Sequence, residues 1–170
     1  MSKTANEKFL ESSQPAARAG LITLSETTLV PYLHLYRFGN TSRPNLHFCG
    51  PWWVGFSPFE ALKGYAESRG EALSLVAREC LAIDWGWSKV DVLVEVVVKQ
   101  SLSAWSGTPK TQFVRGGGGP GGRRWEPDRR ITQLHIPGLG ERDPSDSPQM
   151  IWEQAFADRR SHFIGVNVRS

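Results

Sequence analysis

Four segments of the chain have the hydrophobic pattern of β-strands. Residues 21–38 alternate between apolar and polar side chains, which predicts extended structure with Leu35 and Arg37 on the same face. Residues 90–98 are nearly continuous in β-branched side chains, as is typical of a strand that is covered on both faces. Two shorter strands are predicted at residues 131–136 and 162–168.

Helical patterns occupy three other segments. The first helix is predicted to begin at Ser57, because this serine and Glu60 have the spacing of a capping box, and to end at Gly70. Residues 71–83 follow with apolar side chains at helical spacing. A serine followed by a proline predicts a third helix over residues 147–160.

The order of these elements predicts an α+β fold. Strands dominate the second half of the chain, which favours a mixed or antiparallel sheet with a few short helices over a doubly wound parallel sheet. Residues 1–18 are polar and lack periodicity, so they are predicted to form a flexible N-terminal arm. Residues 19–170 then form a single domain, in which the glycine-rich residues 115–124 are a mobile loop.

The bulk composition is that of an ordinary globular domain. A chain of 170 residues with 39% hydrophobic residues can bury a core without a metal or a disulfide. The net charge of +3 is too small to indicate nucleic-acid binding by itself. Cys49 and Cys80 form no C-x-x-C motif and are interpreted as reduced thiols. Because no segment resembles a signal peptide or a membrane span, we expect a soluble, cytoplasmic protein with no membrane partner.

Several kinds of catalytic centre have no matching motif. The four histidines are scattered and none has metal-ligand spacing, so no metal site is predicted. There is no G-x-S-x-G elbow, and Cys49 is interpreted as a buried thiol rather than a nucleophile. The glycine-rich segment lacks the ending of a Walker phosphate loop.

The strongest candidate for a ligand site is the segment LHLYRFGNTSRPNLHFCGPWW. Arg37 lies among aromatic residues, and its guanidinium suits a diphosphate or a carboxylate. The alternative is an ordinary salt bridge, for example with Glu79 or Glu95. Since adjacent residues of a strand face opposite ways, only one of Trp52 and Trp53 can enter the core. The other either stacks on a planar ligand or covers an edge of the sheet.

This part of the chain resembles the ADP-ribosyltransferase-like NAD-handling families, including RES-type toxin domains. The resemblance extends over about residues 30–105. The stretch LYRFG offers Arg37, WWVGFSPFEALKGYA offers Trp53, Ser57 and Tyr65, and LVARECLAIDWGWSKVDVLVEVVV offers Glu79. The chain lacks the S-T-S triplet and the E-x-E or Q-x-E motif of a late strand.

The resemblance implies an ADP-ribosyltransferase-like fold and an enzyme that uses NAD. Glu79 would be the catalytic acid, and Arg37, Trp53, Ser57 and Tyr65 would bind the dinucleotide. Gln133, Arg123 and Arg124 are the candidates for contact with the substrate. Such a protein would transfer ADP-ribose to a protein or nucleic-acid acceptor, or hydrolyse NAD, as an intracellular toxin or effector.

Two other classes of function stay open at this point. The segment RGGGGPGGRRW mixes arginine, glycine and an aromatic residue, as RNA-binding segments do. The chain is therefore alternatively an RNA- or protein-binding module without catalysis. A non-catalytic immunity or scaffold protein is the third class, and the sequence does not indicate an oligomeric state.

Overall fold

A computed structural model of the chain describes residues 5–83, 88–114, 123–125, 130–140 and 152–164. The helices are α1 Ala5–Ser12, α2 Gln14–Gly20, a 3-10 turn Pro44–Leu46, α3 Phe56–Arg69, α4 Leu73–Cys80 and α5 Trp152–Ala155. The strands are β1 Leu21–Leu29, β2 His34–Gly39, β3 Trp52–Gly55, β4 Val92–Val98, β5 Leu102–Pro109, β6 Gln112–Val114, β7 Arg123–Trp125, β8 Gln133–His135 and β9 Phe156–Phe163.

Seven of the strands form one sheet in the order β1-β5-β8-β3-β2-β4-β9. Every neighbouring pair in this order is antiparallel, and β6 and β7 form a separate antiparallel pair. The strand predicted at residues 90–98 is β4, which lies between two neighbours and is largely buried. The predicted α+β class with an antiparallel sheet in a single domain is therefore confirmed.

Residues from both ends of the strand order share one hydrophobic core. Leu29 and Leu102 from the β1 end pack in the same cluster as Leu35 and Val94 from the β4 end. Trp53 of β3 is in this cluster with only 1% of its surface exposed. Strand β3, in the middle of the strand order, therefore contributes to the core that both ends of the sheet share.

Helices α3 and α4 cover the opposite face of β2 and β4. The rings of Tyr36 and Phe59 stack with their centroids 3.9 Å apart, and Phe38 lies in the same cluster. The predicted alternation along β2 is confirmed, because Leu35 faces one core and Tyr36 and Phe38 face the other. None of the helices in the described ranges is long and apolar enough to cross a membrane.

The predicted ends of α3 are half right. Gly70 ends the helix in the left-handed conformation with φ of 62°, as predicted. The prediction that Ser57 caps the helix is wrong, since β3 runs directly into α3 and Gly55 occupies the cap position. Ser57 lies inside the first turn, and Glu60 pairs with Lys63 at 2.8 Å rather than completing a capping box.

Residues 5–20 form two helices, in contrast to the predicted flexible arm. Asn6 is fully buried, and its side-chain nitrogen donates to the carbonyl oxygens of Ser103 and Pro137, each at 3.0 Å. The indole nitrogen of Trp105 donates to the carbonyl oxygen of Leu10 at 2.9 Å. Because these partners lie about a hundred residues away in the sequence, the order of this segment has no signal in local periodicity.

The C-terminal elements differ from the prediction in a similar way. Helix α5 ends at Ala155, and β9 begins at Phe156, so the last residues of the predicted helix 147–160 belong to a strand. Pairing of Phe156 with Val98 of β4 overrides the helical pattern there. The predicted cap of that helix, and residues 165–168 of the last predicted strand, lie outside the described residues.

The glycine-rich loop is described only at one end. Residues 115–122 lie outside the described part of the chain. Arg123 and Arg124, which the prediction included in the loop, belong to β7, where Arg124 pairs with Phe113 of β6. In the sequence, residues 115–122 stand between these two paired strands.

Candidate functional site

A cavity lies where the sheet splits between β2 and β3. Tyr36 of β2 pairs with Val54 of β3, but the preceding β3 residue, Trp53, pairs with Leu134 of β8 instead. From Arg37 onward, β2 is paired with β4 on its other side but not with β3. The strands diverge at this point, and the side chains around the split line a hollow rather than a continuous core.

The cavity has a volume of about 500 Å³, which is within the range of small-molecule and cofactor sites. Its lining comes from several parts of the fold that are distant in sequence. They are represented by Ala19 of α2, Phe38 of β2, Trp52 of β3, Gln133 of β8 and Ile83 beyond the end of α4.

Arg37 is a charged group of this site with a buried side-chain nitrogen. Its Nη1 donates to the carbonyl oxygen of Trp52 at 3.2 Å. Its Nε is buried and has no hydrogen-bond partner within the described ranges. The guanidinium lies flat against Gly50, where an added Cβ would be 2.0 Å from Nη2. The guanidinium of Arg37 is therefore held against the backbone of Gly50 and Trp52, while its Nε has no acceptor among the described residues.

The described carboxylates do not neutralise Arg37. Glu79, one of the two alternative salt-bridge partners, pairs with Arg69. Glu95, the other, lies opposite Tyr36 and therefore on the other face of the sheet. Burial lowers the pKa of Arg37 to about 10, partly opposed by Cys49, so the guanidinium keeps its charge at neutral pH. A buried cation without a carboxylate partner favours binding of an anion.

The two adjacent tryptophans have different environments. Trp53 is a core residue whose ring packs against Phe156 at 5.0 Å and whose indole nitrogen donates to the carbonyl oxygen of Gly50 at 2.7 Å. Trp52 is only partly buried, lines the cavity and meets the ring of His135 edge-on at 4.7 Å. Trp53 is therefore a core residue behind the cavity, whereas Trp52 forms a partly exposed aromatic wall of the cavity.

The charge of the lining has one sign. Arg37, Arg43 and Lys110 all line the cavity, and His47 lies beside them. No aspartate or glutamate is among the lining residues that the structure describes. A ligand that carries negative charge and a planar ring matches this combination of cations and indole.

The structure brings only part of the predicted site together. Arg37, Trp53 and Gln133 line the same cavity, and Gln133 is buried there, beside Gly107 of β5. The side chains of Arg123 and Arg124 lie outside the described part of the chain, so their predicted contact with substrate has no structural counterpart here.

Ser57, Tyr65 and Glu79 lie outside the cavity lining, and this corrects the predicted constellation. Val76 and Cys80 direct the buried face of α4 towards the core, which leaves Glu79 on the outer side of the helix. Its carboxylate meets Arg69 at 3.4 Å, with 36% of the Glu79 side chain exposed. The expected convergence of Arg37 with a helix-borne acid at Glu79 is therefore not found.

Tyr65 belongs to a cluster on the surface of α3. The guanidinium carbons of Arg69 and Arg130 lie 5.5 Å and 5.6 Å from the centre of its ring. Ser57 is exposed in the first turn of the same helix. Neither residue is among the described residues that line the cavity.

Sequence reasoning missed several residues that shape the cavity. Arg78 is 1% exposed and donates to the carbonyl oxygens of Ile83 and Ser88, both of which line the cavity. Gly20 at the end of α2 and Lys110 just after β5 also line it. A buried arginine on a helix and a glycine at a helix end carry no sequence signal of a ligand site, because their positions depend on long-range contacts.

Metal-binding chemistry is not prominent in the described structure. Within the described ranges, no group of three or more histidine, cysteine, aspartate or glutamate side chains is arranged to hold a metal ion. Burial lowers the pKa of His135 to about 4, and its Nδ1 has no hydrogen-bond partner among the described residues. His135 is therefore neutral at physiological pH.

Comparisons with known proteins identify no family for this α+β chain. No protein-family model matches it, and no curated protein matches it. A chain in a solved structure described as Rhs1-CT in complex with cognate immunity protein RhsI1 aligns with 86% of this chain and 86% of its own length. The TM-score is 0.48 and the sequence identity is 13%. At that level the likeness does not identify the function of this chain.

Proposed function

We propose that the chain binds NAD in the cavity at the split of the sheet and cleaves its nicotinamide–ribose bond. The ADP-ribose would pass to an acceptor or to water. The observation that carries the proposal is the guanidinium of Arg37, which is buried in a cavity with an unpartnered Nε and no described carboxylate beside it. A diphosphate would supply the missing negative charge and the missing acceptors.

The rest of the lining fits the other parts of a dinucleotide. Trp52 offers an indole face for a heteroaromatic ring. Arg43 and Lys110 add positive charge around the cavity. Gln133 is a buried amide that can orient polar groups of a ribose or a carboxamide.

Cleavage is the second step of the proposal and rests on the resemblance to NAD-handling families. Loss of nicotinamide develops positive charge on the ribose, as glycoside cleavage does. The described lining holds no carboxylate to stabilise that charge, so an uncharged oxygen such as the side-chain carbonyl of Gln133 would face it. We further propose that the enzyme acts inside a cell as a toxin or effector.

The first experiment measures the two steps separately on the full chain. Calorimetric titration with NAD should give a dissociation constant between about 1 µM and 1 mM, the range in which enzymes commonly meet their substrates. Chromatography of the same mixture should reveal free nicotinamide. Binding without nicotinamide release would restrict the function to a nucleotide-binding module. Absence of NAD binding would refute the proposal.

The alternative, an RNA-binding module that uses the glycine-rich loop, predicts a different response to shortening that loop. Deletion of residues 116–122 should leave NAD affinity unchanged within about twofold, since the proposal assigns ligand binding to Arg37, Trp52 and Gln133 in other segments of the chain. A module of the alternative kind would lose affinity for single-stranded RNA on the same deletion, and that affinity would fall steeply with salt.

Glu79→Ala tests whether Glu79 is the catalytic acid, as the resemblance implies, or a residue outside the site, as its position in the structure indicates. We expect NAD affinity and nicotinamide release to change by less than about twofold, because the Glu79 side chain is partly exposed, pairs with Arg69 and does not line the cavity. Lys63→Ala, which removes an exposed member of another ion pair, is the matched control. Abolished turnover with retained folding would return Glu79 to the site.

A further inference from the structure

Gly20 and Trp52 make an unusually close contact at the edge of the cavity. A Cβ placed on Gly20 would be 2.5 Å from Cη2 of the Trp52 ring and 2.9 Å from its Cζ2. Both residues line the cavity. The benzene part of the indole therefore rests directly on the backbone of Gly20, in space that only a glycine leaves open.

The backbone of Gly20 cannot easily move away from the indole. Its carbonyl oxygen accepts a hydrogen bond from the Lys110 backbone at 2.8 Å, and the next residue, Leu21, pairs with Pro109 of β5. The Lys110 ammonium also donates to the carbonyl oxygen of Arg18 in the last turn of α2. The chain on either side of Gly20 is thus attached, through Arg18 to the Lys110 side chain and through Leu21 to the end of β5.

The indole is also restrained on another side. His135 packs edge-on against it at 4.7 Å and is itself only 5% exposed. The backbone of Trp52 is fixed by its pairing with β8. A side chain at position 20 would therefore push the indole towards the cavity, which is the open space beside it.

We propose that Gly20 determines which ligands the cavity accepts. Because Gly20 has no side chain, the Trp52 indole can lie against its backbone, and this leaves room in the cavity for a heteroaromatic ring to stack on the indole. This inference rests on the proposed function and extends it. The ring would be the nicotinamide or the adenine of the dinucleotide, two sources of the same chemistry. Arg37 contacts the charged part of the ligand, and the Gly20–Trp52 pair controls the space for its ring.

The test compares Gly20→Ala with the unchanged chain in titrations with NAD, nicotinamide mononucleotide, AMP and inorganic pyrophosphate. Gly20→Ala should weaken the binding of NAD and of one of the two mononucleotides by about tenfold or more. This is the effect expected when a stacking contact between a base and an aromatic side chain is lost. Pyrophosphate affinity should stay within about twofold. The mononucleotide that is weakened identifies the ring.

Gly64→Ala is the matched control, because an added Cβ at Gly64 of α3 meets no atom within 4 Å. A second pair of variants covers the case in which Gly20→Ala alone folds poorly. Trp52→Phe removes the ring atoms that the new methyl group would meet, so Gly20→Ala in this background should change NAD affinity by less than about twofold.

The outcomes distinguish the two levels of the proposal. The role of Gly20 would be overturned if Gly20→Ala lowered the affinities for NAD and pyrophosphate equally. It would also be overturned if Gly20→Ala lowered NAD affinity by the same factor with and without the Trp52→Phe change. Neither outcome would contradict NAD binding itself. An unchanged chain that binds neither NAD nor pyrophosphate would instead overturn the proposed function, and the ring subsite with it.

Discussion

Arg37→Met should weaken NAD binding by about 10- to 100-fold, because hydrogen bonds to a charged group each contribute about 1.5–3 kcal/mol. The methionine side chain fills much of the same space but carries no charge and no donors. Pyrophosphate affinity should fall by a similar factor, since the guanidinium is proposed to contact the diphosphate. Calorimetric titration of both ligands measures these changes.

The same substitution should not destabilise the fold. The Nε of Arg37 is buried and unpartnered among the described residues, so removal of the cation relieves a desolvation cost that offsets the lost Nη1 hydrogen bond to Trp52. We therefore expect the Tm of Arg37→Met to equal or exceed that of the unchanged chain. Arg69→Met, at an arginine outside the cavity, is the control for loss of a positive charge. Comparable losses of affinity in both variants would mean that net charge, rather than the cavity, binds the ligand.

Trp53→Ala should lower the free energy of unfolding by about 3–5 kcal/mol, the usual cost of truncating a large aromatic residue in a core. Trp53 is 1% exposed and belongs to the core shared by both halves of the sheet. Its hydrogen bond to Gly50, which lies against Arg37, would be lost as well. Denaturant unfolding followed by circular dichroism measures the change.

Trp52→Ala is the informative partner of that variant. Because Trp52 is only partly buried, its truncation should cost about 1 kcal/mol of stability. It should nevertheless weaken NAD binding by about tenfold through the lost stacking surface. If Trp52→Ala were the more destabilising of the two, the division into a core tryptophan and a cavity tryptophan would be incorrect.

Local sequence signals predicted the parts of the fold that depend on local interactions. The alternation of β2, the β-branched run of β4 and the glycine that ends α3 all match the structure. The helix pair at residues 5–20 had no such signal, because Asn6 and Trp105 stabilise it through long-range hydrogen bonds. The helical pattern at residues 156–160 was overridden by pairing with β4.

The candidate site was predicted in part for the same reason. An arginine among aromatic residues on a strand marked Arg37, and the paired tryptophans marked the adjacent wall. The acid was placed at Glu79 by resemblance alone, and the direction of α4 puts that residue elsewhere. Gly20 and Lys110 reach the cavity from segments about ninety residues apart, and no local pattern encodes that approach.

The sequence by itself determined the α+β class, the facing of β2 and the unusual chemistry of Arg37 and the two tryptophans, since hydrophobic period and residue type are local properties. The tertiary structure alone decided which tryptophan is core and which residues surround Arg37. It did so because β3 changes partners between β2 and β8, and the gap left by that change is a property of strand pairing across the whole chain.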